Sequence, residues 1–203
     1  MFIALEGIDG SGHTTQARRL AVFLAQSGRD VYVTAEPSKQ ITGKIIRDFL
    51  QNKVKHHSKF AESLALLFAA DRVQHFYGEI KPKLDNNTDV ICDRYMLSSL
   101  VYQGLWISEE WIKNINQFVP FPDLTILINT PLDEAKIRRK KRGGIEEIFE
   151  SQNLQKIIQD RYFKLASESE SIIINGSGTQ REVTDRLIHS IEKSGFLIKH
   201  NKR

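Results

Sequence analysis

The 203 residues of the chain are enough to bury the core of one domain, and we expect residues 1–203 to form a single domain. The 29 basic and 25 acidic residues give a net charge of +4, which suits an anionic ligand but is too small to indicate nucleic-acid binding. A single cysteine excludes an intrachain disulfide, and no apolar run is long enough to span a bilayer, so we expect a cytoplasmic protein.

Strand-like and helix-like patterns alternate along the chain, in an order typical of a parallel sheet covered by helices. A short apolar run predicts the first strand at 2–6, and four further runs predict strands at 31–35, 90–93, 124–128 and 172–175. The longest predicted helix covers residues 60 to about 84, and Pro82 is expected to kink or end it. The predicted fold class is α/β, a three-layer α/β/α arrangement around a parallel five-stranded sheet.

The turn after the first predicted strand is rich in glycine and leads into a helical pattern. A strand, a glycine-rich turn and a helix form the context in which G-x-x-x-x-G-K-[ST] binds phosphate, because backbone N–H groups and the helix N-terminus converge on one anion. The residues expected to bind phosphate are Gly7, Gly10, Ser11, Gly12, His13, Thr14 and Thr15. His13 stands where this pattern has lysine, and the Thr14 hydroxyl is expected to bind Mg²⁺.

Charged side chains mark the ends of the second and third predicted strands. Glu36 follows residues 31–35, and Asp93 closes the third strand just before Arg94. Ligands of open α/β sheets bind beyond the carboxyl ends of the strands, so we expect these side chains beside the phosphate loop. A carboxylate there can hold Mg²⁺, and an arginine can clamp a phosphoryl group. The alternatives are a surface salt bridge between Asp93 and Arg94 and an exposed turn at Glu36.

Phe68 and Arg72 lie one helical turn apart in the longest predicted helix and therefore share a face. A phenylalanine at such a position is more often part of the core. With the arginine beside it, the pair can hold a nucleobase by stacking and hydrogen bonding.

Taken together, these motifs resemble those of the thymidylate kinase family, and the resemblance implies that the three-layer fold is of the P-loop kinase type. The resemblance rests on residues 7–15, Glu36-Pro37, 68–72, Asp93-Arg94-Tyr95 and 98–104, and it extends from the first strand to the last helix. It implies transfer of the γ-phosphoryl group of ATP to thymidine monophosphate with Mg²⁺. The family is generally dimeric, so the resemblance also implies a homodimer.

The resemblance also implies roles for individual residues. Phe68 would stack on thymine, Arg72 and Gln103 would hydrogen-bond it, and Tyr102 would disfavour ribose. The implied acceptor-nucleotide site is Asp9, Glu36, Arg47, Phe68, Arg72, Arg94, Ser98, Tyr102 and Gln103. The implied Mg²⁺ environment is Thr14, Glu36 and Asp93, and the residues implied to take part in catalysis are Asp9, His13, Arg94 and Arg142. Residues 138–150 would form a lid over ATP, and residues 175–178 would lie near adenine.

The chain departs from the pattern of the family at three places. His13 replaces the lysine of the phosphate loop, Ala35 replaces an arginine before Glu36, and Glu146-Glu147 stands where the lid often has Asp-Arg. The basic run 138–142 can substitute for the missing lid arginine, although such a run is also typical of a solvated helix end.

Two functions from different classes stay open at this point. One is an active kinase in which His13 and the basic run share the cationic role. The other is a nucleotide-binding protein that has lost most of its catalysis. Nucleic-acid binding through residues 138–142 and the tail at 199–203 is a more remote third, and no membrane partner is expected.

Overall fold

The computed structural model describes residues 1–51, 60–142 and 152–197. Within these ranges, five strands form one parallel sheet in the order β2-β3-β1-β4-β5. The strands are β1 (Phe2–Glu6), β2 (Val31–Ala35), β3 (Asp89–Asp93), β4 (Leu124–Asn129) and β5 (Ile172–Asn175). The predicted parallel sheet is therefore confirmed, and the strand boundaries differ from the predicted ones by at most one residue.

Helices connect the strands and cover both faces of the sheet. They are α1 (His13–Gln26), α2 (Ile41–Gln51), α3 (Ala61–His75), α4 (Lys81–Asp85), α5 (Met96–Tyr102), α6 (Glu109–Ile115), α7 (Leu132–Arg142), α8 (Gln152–Glu168) and α9 (Gln180–Lys193). A π-helical turn at Phe76–Ile80 joins α3 to α4. The helix does not end at Pro82, because the proline lies in the first turn of α4, where its missing N–H is tolerated.

The apolar side chains form two buried clusters, one on each face of the sheet. Successive residues of a strand point to opposite faces, so Phe2 and Ala4 pack toward α5 and α8, whereas Ile3 and Leu5 pack toward α1 and α9. This alternation produces the three layers that the sequence predicts. In the part of the chain that the structure describes, no helix has the length and apolar character needed to cross a membrane.

The edge strand β2 and its neighbours β3 and β1 carry their carboxyl ends to the same edge of the sheet. Leu5 of β1 and Ala35 of β2 both pair with Asp93 of β3. The N–H of Glu36 donates to the carbonyl oxygen of Asp93 at 3.0 Å. The fold thus places Glu36, Asp93 and Arg94 at the edge from which the phosphate loop leaves β1.

Candidate functional site

A cavity of about 350 Å³ opens at this edge, a volume within the range of small-molecule sites. The end of β3, the loops that follow β1 and β2, and residues of α1, α2, α3 and α5 line it. Among them are Asp9, Glu36, Arg47, Phe68, Arg72, Arg94, Ser98, Tyr102 and Gln103, together with His13, Thr14 and Asp93. The structure therefore brings together the whole set of residues predicted for the acceptor nucleotide, and it places the start of the phosphate loop helix beside them.

The phosphate loop connects β1 to α1 and packs directly on α7. Gly7, Gly10, Ser11 and Gly12 lie in the turn, and His13, Thr14 and Thr15 form the first turn of α1. Gly10 has a φ of +83°, and a Cβ there would overlap the carbonyl oxygen of Ala135 in α7. Glycine is needed at this position for both reasons. The buried Ser11 hydroxyl has no hydrogen-bond partner among the described residues.

The imidazole of His13 points at Asp93. Its Nδ1 atom forms a short hydrogen bond with Oδ1 of Asp93, and the two side chains are only 9% and 13% exposed. The Thr14 hydroxyl also hydrogen-bonds Asp93. Any positive charge on His13 is therefore paired with a carboxylate, and this pairing distinguishes it from a lysine that reaches freely toward phosphate.

The carboxyl group of Asp93 has a strongly lowered pKa. Burial raises this pKa, but the charge and hydrogen bond of His13, the hydrogen bond of Thr14 and the charge of Arg94 outweigh burial and lower it from 3.8 to about 2. Asp93 is therefore ionised at neutral pH, and it presents a carboxylate beside the Thr14 hydroxyl.

Replacing His13 with alanine is expected to weaken the pH dependence of stability in acid. A lowered folded-state pKa gives a contribution that is complete above about pH 4 and is lost as the pH falls toward 2, worth about 2 kcal/mol for the shift of Asp93 from 3.8 to about 2. We expect the free energy of unfolding to fall less steeply between pH 4 and 2 in His13→Ala than in the wild type. Urea denaturation at each pH measures this slope, and the exposed His189→Ala is the control. Identical slopes for His13→Ala and the wild type would contradict the assignment.

Arg94 lies at the cavity wall in an unusual backbone conformation. Its φ is +69°, a value rare for residues with a side chain, and its N–H donates to the carbonyl oxygen of Leu5 at 2.9 Å. Its guanidinium donates to Asp9 at 2.7 Å, to the Tyr162 hydroxyl at 2.9 Å and to the Ser98 hydroxyl at 3.2 Å. These contacts hold the guanidinium in one orientation at the cavity, and strained backbone of this kind is typical of functional sites.

Two residues that are not among the predicted site residues, Tyr162 and Glu6, help to hold Arg94. Tyr162 accepts a hydrogen bond from Arg94, and Glu6 accepts from the hydroxyl groups to which Arg94 donates. Glu6 is fully buried and accepts hydrogen bonds from the Ser98 hydroxyl, from the N–H of Tyr95 at 2.9 Å and from the Tyr162 hydroxyl at 3.3 Å. Burial raises the pKa of Glu6, although Ser98 and Arg94 act against this. A carboxylate in an otherwise apolar strand was a signal for Glu6, whereas nothing in the sequence pointed to Tyr162, which is 156 residues away.

Glu36 and Arg72 form a buried ion pair at the cavity wall. Arg72 donates to Oε2 of Glu36 from Nε at 2.9 Å and from a terminal nitrogen at 2.7 Å, while Oε1 of Glu36 lies 3.3 Å from Nδ1 of His75. Arg72 also donates to Asn116 and, at 2.9 Å, to the Ser99 hydroxyl. Both carboxylate oxygens of Glu36 therefore have protein partners, and its role toward Mg²⁺ stays a prediction.

The remaining predicted acceptor residues surround the cavity from α2, α3 and the end of α5. Oε1 of Gln103 is buried without a hydrogen-bond partner in the described part of the chain, so it offers an acceptor to a ligand. The Arg94 guanidinium lies 5.3 Å from the centre of the Tyr102 ring. Phe68 is half-buried, and Arg47 donates to the carbonyl oxygen of Pro37 at 2.8 Å.

The basic end of α7 lies against the phosphate loop. Arg138 donates to the carbonyl oxygen of Ser11 at 3.1 Å and to those of Gly176 and Gly178 at 3.0 Å each, so it joins the phosphate loop to the loop predicted to lie near adenine. Arg139 donates to the carbonyl oxygen of Asp9 at 2.6 Å. The Arg142 side chain and residues 143–150 of the predicted lid, which include Glu146-Glu147, lie outside the described residues.

Comparison with known proteins gives a consistent result. A family model described as "Thymidylate kinase" matches residues 5–188. A protein of Pyrococcus abyssi named "Probable thymidylate kinase" is 42% identical over 203 residues, covering 98% of this chain and 96% of that protein. Proteins of the same name from Pyrococcus horikoshii and Methanocaldococcus jannaschii are 41% and 42% identical, covering 98% and 86% of this chain and 96% and 86% of their own lengths.

Proposed function

The chain belongs to the thymidylate kinase family and is a phosphotransferase, and we propose that it transfers the γ-phosphoryl group of ATP to thymidine monophosphate. The observation that carries this proposal is the cavity beside the phosphate loop, because the residues expected around the acceptor nucleotide all line it. These residues come from distant parts of the sequence and converge on one cavity. The convergence argues against the alternatives, which are a surface salt bridge between Asp93 and Arg94 and an exposed turn at Glu36.

The acceptor nucleotide would lie between α3 and α5. Phe68 would stack on thymine, and the unpartnered Oε1 of Gln103 would accept a hydrogen bond from the base. Arg94, held by Asp9, would grip the acceptor phosphate with a guanidinium whose geometry suits two phosphate oxygens. Arg72 already uses its donors within the protein, so we propose that it forms the floor of the base site through Glu36 and can share a hydrogen bond with thymine.

The donor phosphates would lie on the N–H groups of the phosphate loop at the N-terminus of α1. Phosphoryl transfer needs little covalent chemistry from the protein, and positioning with charge neutralisation supplies most of the acceleration. The acceptor is itself a phosphate, so a strong general base is not needed. The task of the site is to hold two anionic groups together. Arg94 donates to the Asp9 carboxylate, and Arg138 and Arg139 of α7 donate to the loop backbone, so these guanidinium groups are available for that task.

Magnesium fits the residues at the loop. Within the described ranges, no three His, Cys, Asp or Glu side chains are grouped to hold a metal on their own. Mg²⁺ in phosphoryl-transfer sites takes only one or two protein oxygens and completes its shell with phosphates and water. The Thr14 hydroxyl and the ionised Asp93 carboxylate provide such a pair. Bound there with ATP, the ion would neutralise charge on the phosphates.

We also propose one domain over residues 1–203, a homodimer and a cytoplasmic location. Exposed apolar side chains on the outer surfaces of α2 and α3 support the dimer, namely Ile41 at 69%, Ile45 at 47% and Leu66 at 50% exposure. Large exposed apolar groups of this kind are typical of association surfaces. The lone buried Cys92 fits a reducing compartment. Light scattering coupled to size-exclusion chromatography measures the mass in solution, and a monomer would refute the dimer.

A coupled assay of ADP release tests the reaction. With ATP and Mg²⁺, we expect turnover with thymidine monophosphate to exceed that with the other nucleoside monophosphates, because Tyr102 and Gln103 select sugar and base. Thymidine monophosphate binding measured by calorimetry is the companion experiment. Tight binding without ADP release would favour the alternative, a nucleotide-binding protein that has lost catalysis. Turnover with another monophosphate in preference to thymidine monophosphate would contradict the proposed substrate.

A further inference from the structure

The basic side chains at the phosphate loop differ in whether a carboxylate pairs with them. His13 is paired with Asp93, and Arg94 with Asp9 at 2.7 Å. Arg138 is paired with Glu134 at 3.0 Å. An ion pair at such distances cancels most of the field that a cation projects onto a neighbouring anion. These three side chains therefore position the loop and the acceptor more than they add net positive charge to the loop.

Arg139 is different. It donates to the carbonyl oxygen of Asp9 at 2.6 Å and to Oε1 of Gln155 at 3.3 Å, both of which are neutral acceptors. Among the residues that the structure describes, no carboxylate lies within ion-pair distance of its guanidinium. No carboxylate in the described part of the chain therefore cancels its charge directly, and its guanidinium contacts the backbone of the phosphate loop.

The packing of α7 fixes this charge at the loop. A Cβ on Gly10 would lie 2.9 Å from Cγ of Arg139 and would overlap the carbonyl oxygen of Ala135, one turn earlier in α7. The loop and the helix thus touch along the stem of Arg139, and the side chain is only partly exposed to solvent. A guanidinium held in this way loses little conformational entropy when an anion binds, and its charge is only partly screened.

We propose that Arg139 supplies the positive charge that the loop lacks because His13 stands in place of lysine. Arg139 acts through the loop as a positioning residue, because it stabilises a loop that carries anionic phosphates. It does so from α7, whereas a lysine at position 13 would act from α1. The ligand is the triphosphate of ATP, so the inference rests on the proposed function for the identity of that ligand. Its test is made on binding, which does not require transfer to occur.

The test is a double-mutant cycle between positions 139 and 13. Calorimetric titration of ATP with Mg²⁺, in the absence of acceptor, gives the dissociation constant for the wild type, Arg139→Met, His13→Lys and the double variant. We expect Arg139→Met to weaken ATP binding by about 10- to 100-fold, the range of a lost charge-assisted contact. In the double variant, the new lysine should restore most of this loss, while His13→Lys alone should change binding by much less. Arg139→Lys keeps the charge and should remain within about threefold of the wild type.

Arg29→Met is the matched control, because that guanidinium is paired with Asp89, at the opposite end of β3 from the cavity. Its ATP affinity should equal that of the wild type, and thermal unfolding of every variant reports whether the fold is kept. Unchanged ATP affinity in Arg139→Met would overturn the inference. The inference would also be overturned if Arg139→Met binds ATP weakly, the added His13→Lys does not restore binding, and Arg139→Lys binds ATP as weakly as Arg139→Met. That result would show that the Arg139 side chain only packs. If the protein does not phosphorylate thymidine monophosphate, the affinities for ATP can still be measured. That result would bear on the proposed function alone.

Discussion

Replacing Arg94 with alanine is expected to lower kcat/KM for thymidine monophosphate by about 10²–10³-fold, the cost of losing one well-placed donor in a transition state. The KM for ATP should change little. The physical reason is position: the guanidinium is fixed by Asp9, Ser98 and Tyr162 at the wall of the acceptor cavity, and the phosphate loop binds the donor through backbone N–H groups. Steady-state kinetics with each substrate varied in turn separates the two effects.

A matched arginine elsewhere in the fold shows whether the loss is specific. Arg29 forms an ion pair with Asp89, at the opposite end of β3 from Arg94. Arg29→Ala should lower stability without a selective change in KM for thymidine monophosphate. Arg94→Lys retains the charge but loses the fork of donors, and it should fall between the wild type and Arg94→Ala. Equal losses toward ATP and thymidine monophosphate in Arg94→Ala would refute its assignment to the acceptor phosphate.

Much of this cavity could be predicted because its residues sit at positions that the fold makes readable. Asp93, Arg94 and Glu36 follow strand ends, and parallel strands carry their carboxyl ends to one edge of the sheet. Phe68 and Arg72 share a helix face, and helix periodicity alone predicts that. The strand boundaries were equally readable, because each strand is a short apolar run bounded by polar turns.

The partners of these residues could not be predicted, because long-range side-chain contacts leave no periodic signal. The resemblance implies that Glu36 lies near Mg²⁺ and that Arg72 bonds thymine, and the structure joins these two side chains in one ion pair. His13 stands at the position of a phosphate-binding lysine, and the structure turns it toward Asp93. Residues 138–142 form a basic run in the sequence, and only the packing of α7 on Gly10 distinguishes Arg139 from its neighbours.

Removing one partner of the Glu36–Arg72 pair is expected to be the most destabilising single change in the site. The two side chains are 3% and 1% exposed, so Arg72→Met would leave the Glu36 carboxylate buried opposite an apolar group. Loss of one member of a buried ion pair typically costs about 3–5 kcal/mol. Urea denaturation measures the free energy of unfolding. Lys81→Met, which breaks a pair whose side chains are 48% and 60% exposed, is the control and should cost less than about 1 kcal/mol.

The double variant Arg72→Met/Glu36→Gln separates the cost of the stranded charge from the worth of the pair. Without a carboxylate at position 36, the penalty of burying an unpaired charge disappears, so we expect the double variant to be more stable than Arg72→Met alone. Thymidine monophosphate affinity should stay weak in both, since neither keeps a guanidinium at the floor of the base site. If Arg72→Met costs no more than Lys81→Met, the carboxylate has found water or another partner. The ion pair would then not be what holds this wall of the cavity in place.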